Sequence, residues 1–308
     1  MDDATLCLNQ SSGANHHLYH GDSCEVLGGL PDNSVEYSVY SPPFAQIYAY
    51  SNSDRDIGNH AGDAEFWEHY RFVISEMYRT ATPGRLSSVH CMNLPAMKAR
   101  HGYIGLLDFR GDIIRAHKDA GWIYHSEVCI WKDPVVSMQR TKALGLLHKQ
   151  VQKDSCRSRM GIPDHVCTFR KPGDNPEPVD GPLEYFAGDP DTFAHTGNLS
   201  IDVWQRYASP VWSDIRQTRT LQYRTARHED DERHICPLQL DVIERCVQLW
   251  SNPGEIVLSP FAGIGSEGHV AIEMGRKFVG CELKESYFDV AAKNLAKAEK
   301  SLTERKLL

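Results

Sequence analysis

The chain has 308 residues, a hydrophobic content of 41% and a formal net charge of −8. This length suits one large α/β domain with an insertion, or two small domains, and no apolar run approaches the ~20 residues of a membrane span. The acidic start at residues 1–4 is not a secretory signal, and the nine cysteines form no Cys-x-x-Cys pair. We therefore expect a cytoplasmic protein with reduced thiols, no membrane contact and no metal.

The negative charge is unevenly distributed along the chain. Residues 132–172 hold nine Lys or Arg against three Asp, and residues 206–228 hold five Arg against one Asp. An acidic body with two local basic stretches fits an enzyme that binds nucleic acid over a limited surface. A solvated charged surface is the alternative.

Strand and helix patterns alternate through the first 133 residues, which is typical of a doubly wound, mostly parallel α/β sheet. The predicted strands are 18–20, 35–40, 85–91 and 122–131, and the predicted helices are 23–29, 64–82 and 103–120. Frequent proline, glycine and charged residues break the pattern from 134 to 230, which we interpret as an insertion that carries substrate specificity. Regular elements return as helix 237–250, strand 255–259, helix 268–274, strand 278–282 and a last helix from 286.

The predicted strand 35–40 runs directly into Ser41-Pro42-Pro43-Phe44. Both prolines fix φ at about −65°, so the Ser41 hydroxyl and the Pro42 carbonyl are held as two acceptors. Acceptors on the two N–H bonds of an exocyclic amine draw its nitrogen towards tetrahedral geometry and free the lone pair for attack on a methyl donor. Phe44 offers a face on which an extruded base can stack. The segment therefore predicts a site for amine methylation, with a strand-ending turn and a core phenylalanine as the alternative.

Residues 263–268 read Gly-Ile-Gly-Ser-Glu-Gly and follow the predicted strand 255–259. In a βαβ unit such a turn lets a nucleoside ligand approach the backbone, and an acid about 20 residues later binds ribose hydroxyls. Glu282, at the end of the next predicted strand, is the candidate acid. A dinucleotide is the rival ligand, but Glu267 is a poor neighbour for its pyrophosphate, whereas S-adenosylmethionine has no phosphate. A plain βα turn is the remaining alternative.

Together the two segments resemble those of the DNA amino-methyltransferases that modify N4 of cytosine or N6 of adenine. The catalytic segment of that family is written [DNS]-P-P-[YFW], and its cofactor loop resembles Pro-Phe-x-Gly-x-Gly. With the catalytic segment first and the cofactor loop last, the order resembles the circularly permuted β group, and residues 169–173 resemble a segment common in phage and prophage members.

The resemblance implies a Rossmann-like methyltransferase fold, S-adenosylmethionine as cofactor and double-stranded DNA as partner. It divides the chain into a catalytic half (1–133), a target-recognition insertion (134–230) and a cofactor-binding half (231–308). Ser259 stands where many relatives have Asp, and Glu267 is expected to compensate. The candidate catalytic residues are Ser41, Pro42, Pro43 and Phe44, and the candidate cofactor-binding residues are Asp22, Pro237, Ser259, Pro260, Phe261, Gly263, Gly265, Ser266, Glu267 and Glu282.

The identity of the modified base is expected from a correlation, within the family, between the first catalytic residue and the methylated base. Serine at the first catalytic position is typical of cytosine-N4 enzymes and Asp of adenine-N6 enzymes, so Ser41 favours cytosine N4, with adenine N6 as the alternative. RNA or a protein amide is a further alternative substrate, and a DNA-binding module without catalysis is another. Dimers occur in this group, so a homodimer is an open alternative to a monomer.

Overall fold

The computed structural model describes residues 7–43, 63–96, 98–141, 148–158, 160–180, 201–222 and 237–307. Within these ranges nine strands form the main sheet: β1 (Asn9–Ser12), β2 (His16–His20), β3 (Val35–Tyr40), β4 (Ala81–Cys91), β7 (Ile123–Ile130), β8 (Asp164–Arg170), β9 (Val211–Trp212), β10 (Ile256–Ser259) and β11 (Lys277–Glu282). Two short strands, β5 (Leu94–Ala96) and β6 (Gly105–Leu107), form a second sheet. The helices are α1 (Ser23–Gly28), α2 (Asp63–Thr80), α3 (Lys98–His101), α4 (Phe109–Asp119), α5 (Pro134–Thr141), α6 (His148–Lys153), α7 (Ile201–Tyr207), α8 (Leu240–Trp250), α9 (Ser266–Glu273) and α10 (Glu285–Leu307).

The main sheet has the strand order β1-β2-β11-β10-β3-β4-β8-β7-β9. Its neighbours β2, β11, β10, β3 and β4 are parallel, whereas β1 and β8 run antiparallel to the strands beside them. The chain passes from β3 to β4 in one direction across the sheet and from β10 to β11 in the other. The strand order therefore reverses between β3 and β10, and in open α/β sheets the carboxyl ends of the strands at such a switch point form the ligand-binding crevice.

Helices cover both faces of the sheet because successive residues of a strand point to opposite sides. Helices α1, α2 and α4 pack on a core that includes Tyr40 and Leu258. Helices α8, α9 and α10 pack on the opposite core, which includes the preceding residues Val39 and Val257. These three layers confirm the predicted doubly wound, mostly parallel α/β fold. In the described part of the chain, no helix combines the length and apolar character needed to cross a membrane.

The largest differences from the predicted boundaries are at two elements. Residues 83–84, which the sequence places as a break between the predicted helix 64–82 and the predicted strand 85–91, lie inside β4, where Gly84 has φ 76° and the pairing with β3 is irregular. Glycine reaches this left-handed conformation without steric cost, so Gly84 bends the strand and does not end it. The helix predicted from residue 103 begins at Phe109, because the Asp108 side chain accepts the Gly111 N–H at 3.1 Å and caps that helix.

Strand β8 lies within residues 134–230, the predicted insertion, yet it belongs to the main sheet. It pairs with both β4 and β7, and Cys167 and Phe169 on it are fully buried. The short strand β9 also comes from this segment and pairs with β7. Part of the segment therefore completes the sheet, and the division of the chain into three regions stays a prediction.

Candidate active site

The two segments that the sequence singled out lie side by side at the switch point. Strands β10 and β3 are paired in parallel, with Leu258 opposite Ser38, so the chain leaves both strands at the same edge of the sheet. Just beyond, the rings of Tyr40 and Phe261 have centroids 5.9 Å apart. Residues 41–43 and the glycine loop therefore meet at this edge, whereas Phe44 lies outside the described residues.

The glycine loop turns tightly between β10 and α9. Gly263 and Gly265 have φ of 55° and 83°, in the left-handed region that favours glycine. A Cβ at Gly265 would lie 3.2 Å from Cα of Ala291 in α10. A Cβ at Gly268 would lie 2.5 Å from the ring of Phe278, so this third glycine permits close packing of α9 on β11.

Glu282, which is predicted to bind ribose, accepts a backbone hydrogen bond from the glycine loop. Its Oε2 accepts the Gly263 N–H at 2.8 Å, and its Oε1 accepts the Lys284 N–H at 2.8 Å. The carboxylate thus holds the loop in place, and its contact with a ligand stays a prediction.

Asp22 and Ser23 connect the end of β2 to the same edge. The Asp22 side chain accepts the Cys24 N–H at 2.8 Å and caps α1, while Ser23 Oγ donates to the Pro260 carbonyl at 2.5 Å. The segment after β2 is therefore tied directly to the loop after β10. Pro237 lies three residues before the start of α8, outside any helix or strand, and its predicted contact with the cofactor stays untested.

Three polar side chains at the loop are buried: Ser259, Ser266 and Glu267 expose 0%, 3% and 4% of their surface. Neither serine hydroxyl has a hydrogen-bond partner within the described residues, although buried hydroxyls normally have one. Burial raises the pKa of Glu267 to about 8, and the Glu282 carboxylate also acts to raise it. At neutral pH Glu267 is therefore mostly protonated beside the Glu282 carboxylate, and a bound positive charge would favour its ionised form, so this set of groups fits the sulfonium and amino groups of S-adenosylmethionine. The described residues contain no group of His, Cys, Asp and Glu that could hold a metal ion.

Glu267→Gln should stabilise the ligand-free protein at alkaline pH. A carboxyl with a folded pKa of about 8 and an unfolded pKa of about 4.3 binds more protons in the folded state. Its contribution is therefore largest below about pH 4, and the free energy of unfolding falls as the pH rises to about 8, by about 1.4 kcal/mol for each unit between the two pKa values. Urea unfolding at about pH 5 and about pH 8 should show that the free energy of unfolding falls less in the variant than in the wild-type protein. An equal fall in both proteins would mean that Glu267 ionises normally.

Ser41 leads into a line of polar side chains that the sequence analysis missed. Its Oγ donates to the His90 carbonyl at 3.3 Å and lies 3.4 Å from His90 Nδ1. The second ring nitrogen, Nε2, lies 3.3 Å from Asp164 Oδ2, and Asp164 Oδ1 forms an ion pair with Lys132. His90 and Asp164 are 8% and 2% exposed. A polar residue near the end of the predicted strand 85–91 was the available signal for His90, whereas Asp164 had none because β8 was not predicted.

Asp164 carries its negative charge inside the sheet. Burial acts to raise the pKa of this carboxyl, but His90 and Lys132 beside it outweigh the burial and hold the pKa below its usual value. The carboxylate therefore stays ionised at neutral pH, and His90 lies between it and Ser41.

Comparison with known proteins identifies the family and the fold of this chain. The profile of the family N6_N4_Mtase, DNA methylase, matches residues 35–293. The DNA adenine methyltransferase YhdJ of Escherichia coli is 26% identical over 288 residues, which cover 90% of this chain and 82% of that protein. A DNA modification methylase from Thermus thermophilus, solved with S-adenosyl-L-methionine, has a TM-score of 0.63 at 21% identity. The match covers 93% of this chain and 96% of the Thermus thermophilus chain. The cytosine-N4-specific PvuII DNA methyltransferase has a TM-score of 0.62 at 15% identity, and the match covers 97% of this chain and 96% of the PvuII enzyme. The fold is shared with both structures, and because the family profile spans most of its length, the chain belongs to the N6/N4 DNA methylase family of amino-methyltransferases.

Proposed function

We propose that this methyltransferase transfers a methyl group from S-adenosylmethionine to the exocyclic amine of a flipped base in duplex DNA, and that the amine is N4 of cytosine. The observation that carries the proposal is the meeting of residues 41–43 with the glycine loop at the switch point, where Tyr40 contacts Phe261. A donor bound at the loop and an amine bound at Ser41 would share one edge of the sheet. Holding two reactants in this way supplies much of the rate of a group transfer.

The glycine loop holds the cofactor. When bound, S-adenosylmethionine supplies a sulfonium methyl group that a nitrogen lone pair can attack. A Cβ at Gly263 would meet no atom within 4 Å, so there is room for a ligand beside the loop backbone. Ser259 and Ser266 contribute hydroxyls that have no partner among the described residues, and Glu267 contributes a buried carboxyl.

Ser41 and Pro42 hold the amine. The Ser41 hydroxyl donates its proton towards His90, which leaves lone pairs of Oγ to accept an N–H bond of the base. The carbonyl of Pro42 accepts the second N–H bond, and the fixed φ of the two prolines keeps the acceptors in place without reorganisation. Phe44 stacks on the base in this proposal, as the resemblance implies.

DNA contacts come mainly from the first basic stretch, residues 132–172. The second stretch contributes less than its composition suggests, because Arg216 and Arg219 form ion pairs with Asp241 of α8. In the first stretch, Lys149 and Lys153 of α6 are exposed, as phosphate-binding lysines must be. A duplex bound across this segment has to flip its target base to reach Ser41.

Cytosine N4 is proposed because Ser41 stands at the first catalytic position. The relative YhdJ is named as an adenine methyltransferase, and the PvuII enzyme is cytosine-N4-specific, so both outcomes have precedent among similar proteins. Both exocyclic amines pose the same chemical problem, and a serine or a carboxylate can accept their N–H bonds.

The test is to identify the methylated nucleoside. Duplex DNA, RNA and protein are incubated separately with S-adenosylmethionine that carries a labelled methyl group, and the digested products are analysed by mass spectrometry. We expect label in duplex DNA as N4-methylcytosine, and protein with Ser41→Ala controls for contaminating methylases. N6-methyladenine alone would move the assignment to adenine. Label in RNA or protein but not in duplex DNA would contradict the proposed substrate.

A further inference from the structure

The line formed by Ser41, His90, Asp164 and Lys132 lies behind the amine site, and its contacts indicate which atoms carry protons. His90 Nε2 lies at an ion-pair distance of 3.3 Å from Asp164 Oδ2, without hydrogen-bond geometry in the described residues. We assign the ring proton to Nε2 because an ionised carboxylate can only accept hydrogen bonds. A neutral imidazole then has no proton on Nδ1. That bare nitrogen is the atom 3.4 Å from Ser41 Oγ, so His90 presents an acceptor to the serine.

We infer that His90, oriented by Asp164, takes up the proton that the methylated amine must lose, and that the Ser41 hydroxyl passes it on. The inference rests on the proposed function, since it requires an amine bound at Ser41. His90 acts through the serine and does not itself touch the base, which makes it a positioning and proton-accepting residue.

The proton transfer balances without a further reactant. An amine nitrogen that has gained a methyl group is positively charged and holds one proton more than the product. As this N–H bond breaks, its electron pair stays on nitrogen and the proton moves to Ser41 Oγ. The original Ser41 proton, which is donated to the His90 carbonyl in this structure, turns towards His90 Nδ1 and moves from Oγ to that nitrogen. The base ends neutral, the serine is unchanged, and the positive charge lies on the imidazolium until the proton leaves to solvent.

The surrounding charges favour this step. The charged groups in line with His90 are Asp164, from β8, and Lys132, which follows β7 and pairs with Asp164. Lys132 balances the carboxylate while the imidazole is neutral. An imidazolium would gain an ion pair with Asp164 in a buried region, where charges are weakly screened. The serine, histidine and aspartate of hydrolases share this logic, although here the aspartate binds Nε2 and the serine faces Nδ1.

A purely structural role would not require His90 to accept a proton. Filling space and bonding to Asp164 are tasks that a glutamine side chain can also perform, since its NH₂ group donates and its carbonyl accepts. Glutamine cannot take up a proton at neutral pH. His90→Gln therefore separates the two roles.

The experiment compares wild-type protein, His90→Gln and the control His165→Gln. His165 adjoins Asp164 in sequence but pairs with Glu127. Single-turnover methyl transfer to duplex DNA is measured from about pH 5 to about pH 9, the range that brackets the usual titration of histidine, and S-adenosylmethionine binding is measured by calorimetry. We expect His90→Gln to slow transfer by about 100-fold at neutral pH with unchanged cofactor affinity. The wild-type rate should fall towards acid pH, because a protonated imidazole cannot accept a proton, and this fall should be absent from His90→Gln and kept in His165→Gln.

Several outcomes would overturn the inference. A His90→Gln rate within about twofold of wild type, an acid fall that persists in this variant, or a wild-type profile with no acid fall would each do so. If His90→Gln binds no cofactor because it fails to fold, Asp164→Asn decides. Its rate should drop because the imidazole loses the carboxylate that orients it, and an unchanged rate would refute the role of His90. Wild-type protein that binds S-adenosylmethionine but methylates no duplex DNA would instead contradict the proposed function.

Discussion

Replacing Ser41 by alanine should slow methyl transfer by about 100- to 1,000-fold and leave the affinity for S-adenosylmethionine nearly unchanged. The variant loses the acceptor on one N–H bond of the amine and the route by which the proton leaves. Cofactor binding should persist, because within the described residues the Ser41 hydroxyl bonds to His90 and not to the glycine loop. Single-turnover kinetics and calorimetric titration measure the two effects separately.

Ser38→Ala is the matched control for this variant. Ser38 lies on the same strand, but its hydroxyl bonds to Ser87 inside the sheet at 2.7 Å, so its loss should cost about 1 kcal/mol of stability and little activity. The double variant Ser41→Ala, His90→Gln should be no slower than Ser41→Ala, because without the hydroxyl His90 has no path to the amine. Near wild-type activity in Ser41→Ala would contradict the proposed mechanism.

Gly265→Ala should destabilise the protein by about 2–5 kcal/mol and remove most of its affinity for the cofactor. An L-residue at the observed φ of 83° costs about 1–2 kcal/mol. The new Cβ would also lie 3.2 Å from Cα and Cβ of Ala291, and overpacking of this kind costs about 1–3 kcal/mol. The strain falls on the turn that positions Ser266 and Glu267, so cofactor affinity should fall by about tenfold or more, which corresponds to about 1.4 kcal/mol. Urea unfolding and calorimetry are the measurements.

Gly263→Ala separates backbone strain from crowding. Gly263 has φ of 55°, but a Cβ there would meet no atom within 4 Å. Its replacement should therefore show only the backbone cost of about 1–2 kcal/mol. Equal destabilisation of the two variants would mean that the approach of Ala291 does not constrain the loop.

The two segments at the edge of the sheet, residues 41–43 and the glycine loop, could be predicted because each is marked by consecutive residues in the sequence. Strand β3 has the predicted bounds 35–40. Pro42 and Pro43, which follow Ser41, prevent the strand from continuing. The glycine loop was likewise recognisable from consecutive residues after an apolar strand. Their proximity required one further step, the expectation that parallel strands present their carboxyl ends at one edge, and the pairing of β10 with β3 shows that arrangement.

The features that sequence reasoning missed depend on distant partners. Residues 164–170 form a strand because β4 and β7 offer two edges between which it fits, and neither edge is visible from the local composition. The contacts of His90 with Ser41 and Asp164 join three strands. Gly84 was read as a break because local propensity cannot show that neighbouring strands continue past it.

The interleaved strand order has a consequence for synthesis. β2 and β3, which come early in the chain, enclose β11 and β10, which come late; Phe278 is paired with His16 across this distance. Contacts so far apart in sequence form slowly, since the ordering of the intervening chain must come first. The emerging polypeptide therefore cannot complete its central layer until residues 256–282 have left the ribosome. An active enzyme therefore cannot exist before these residues have been translated, and two fragments cut between β9 and β10 would gain activity only by reassembling.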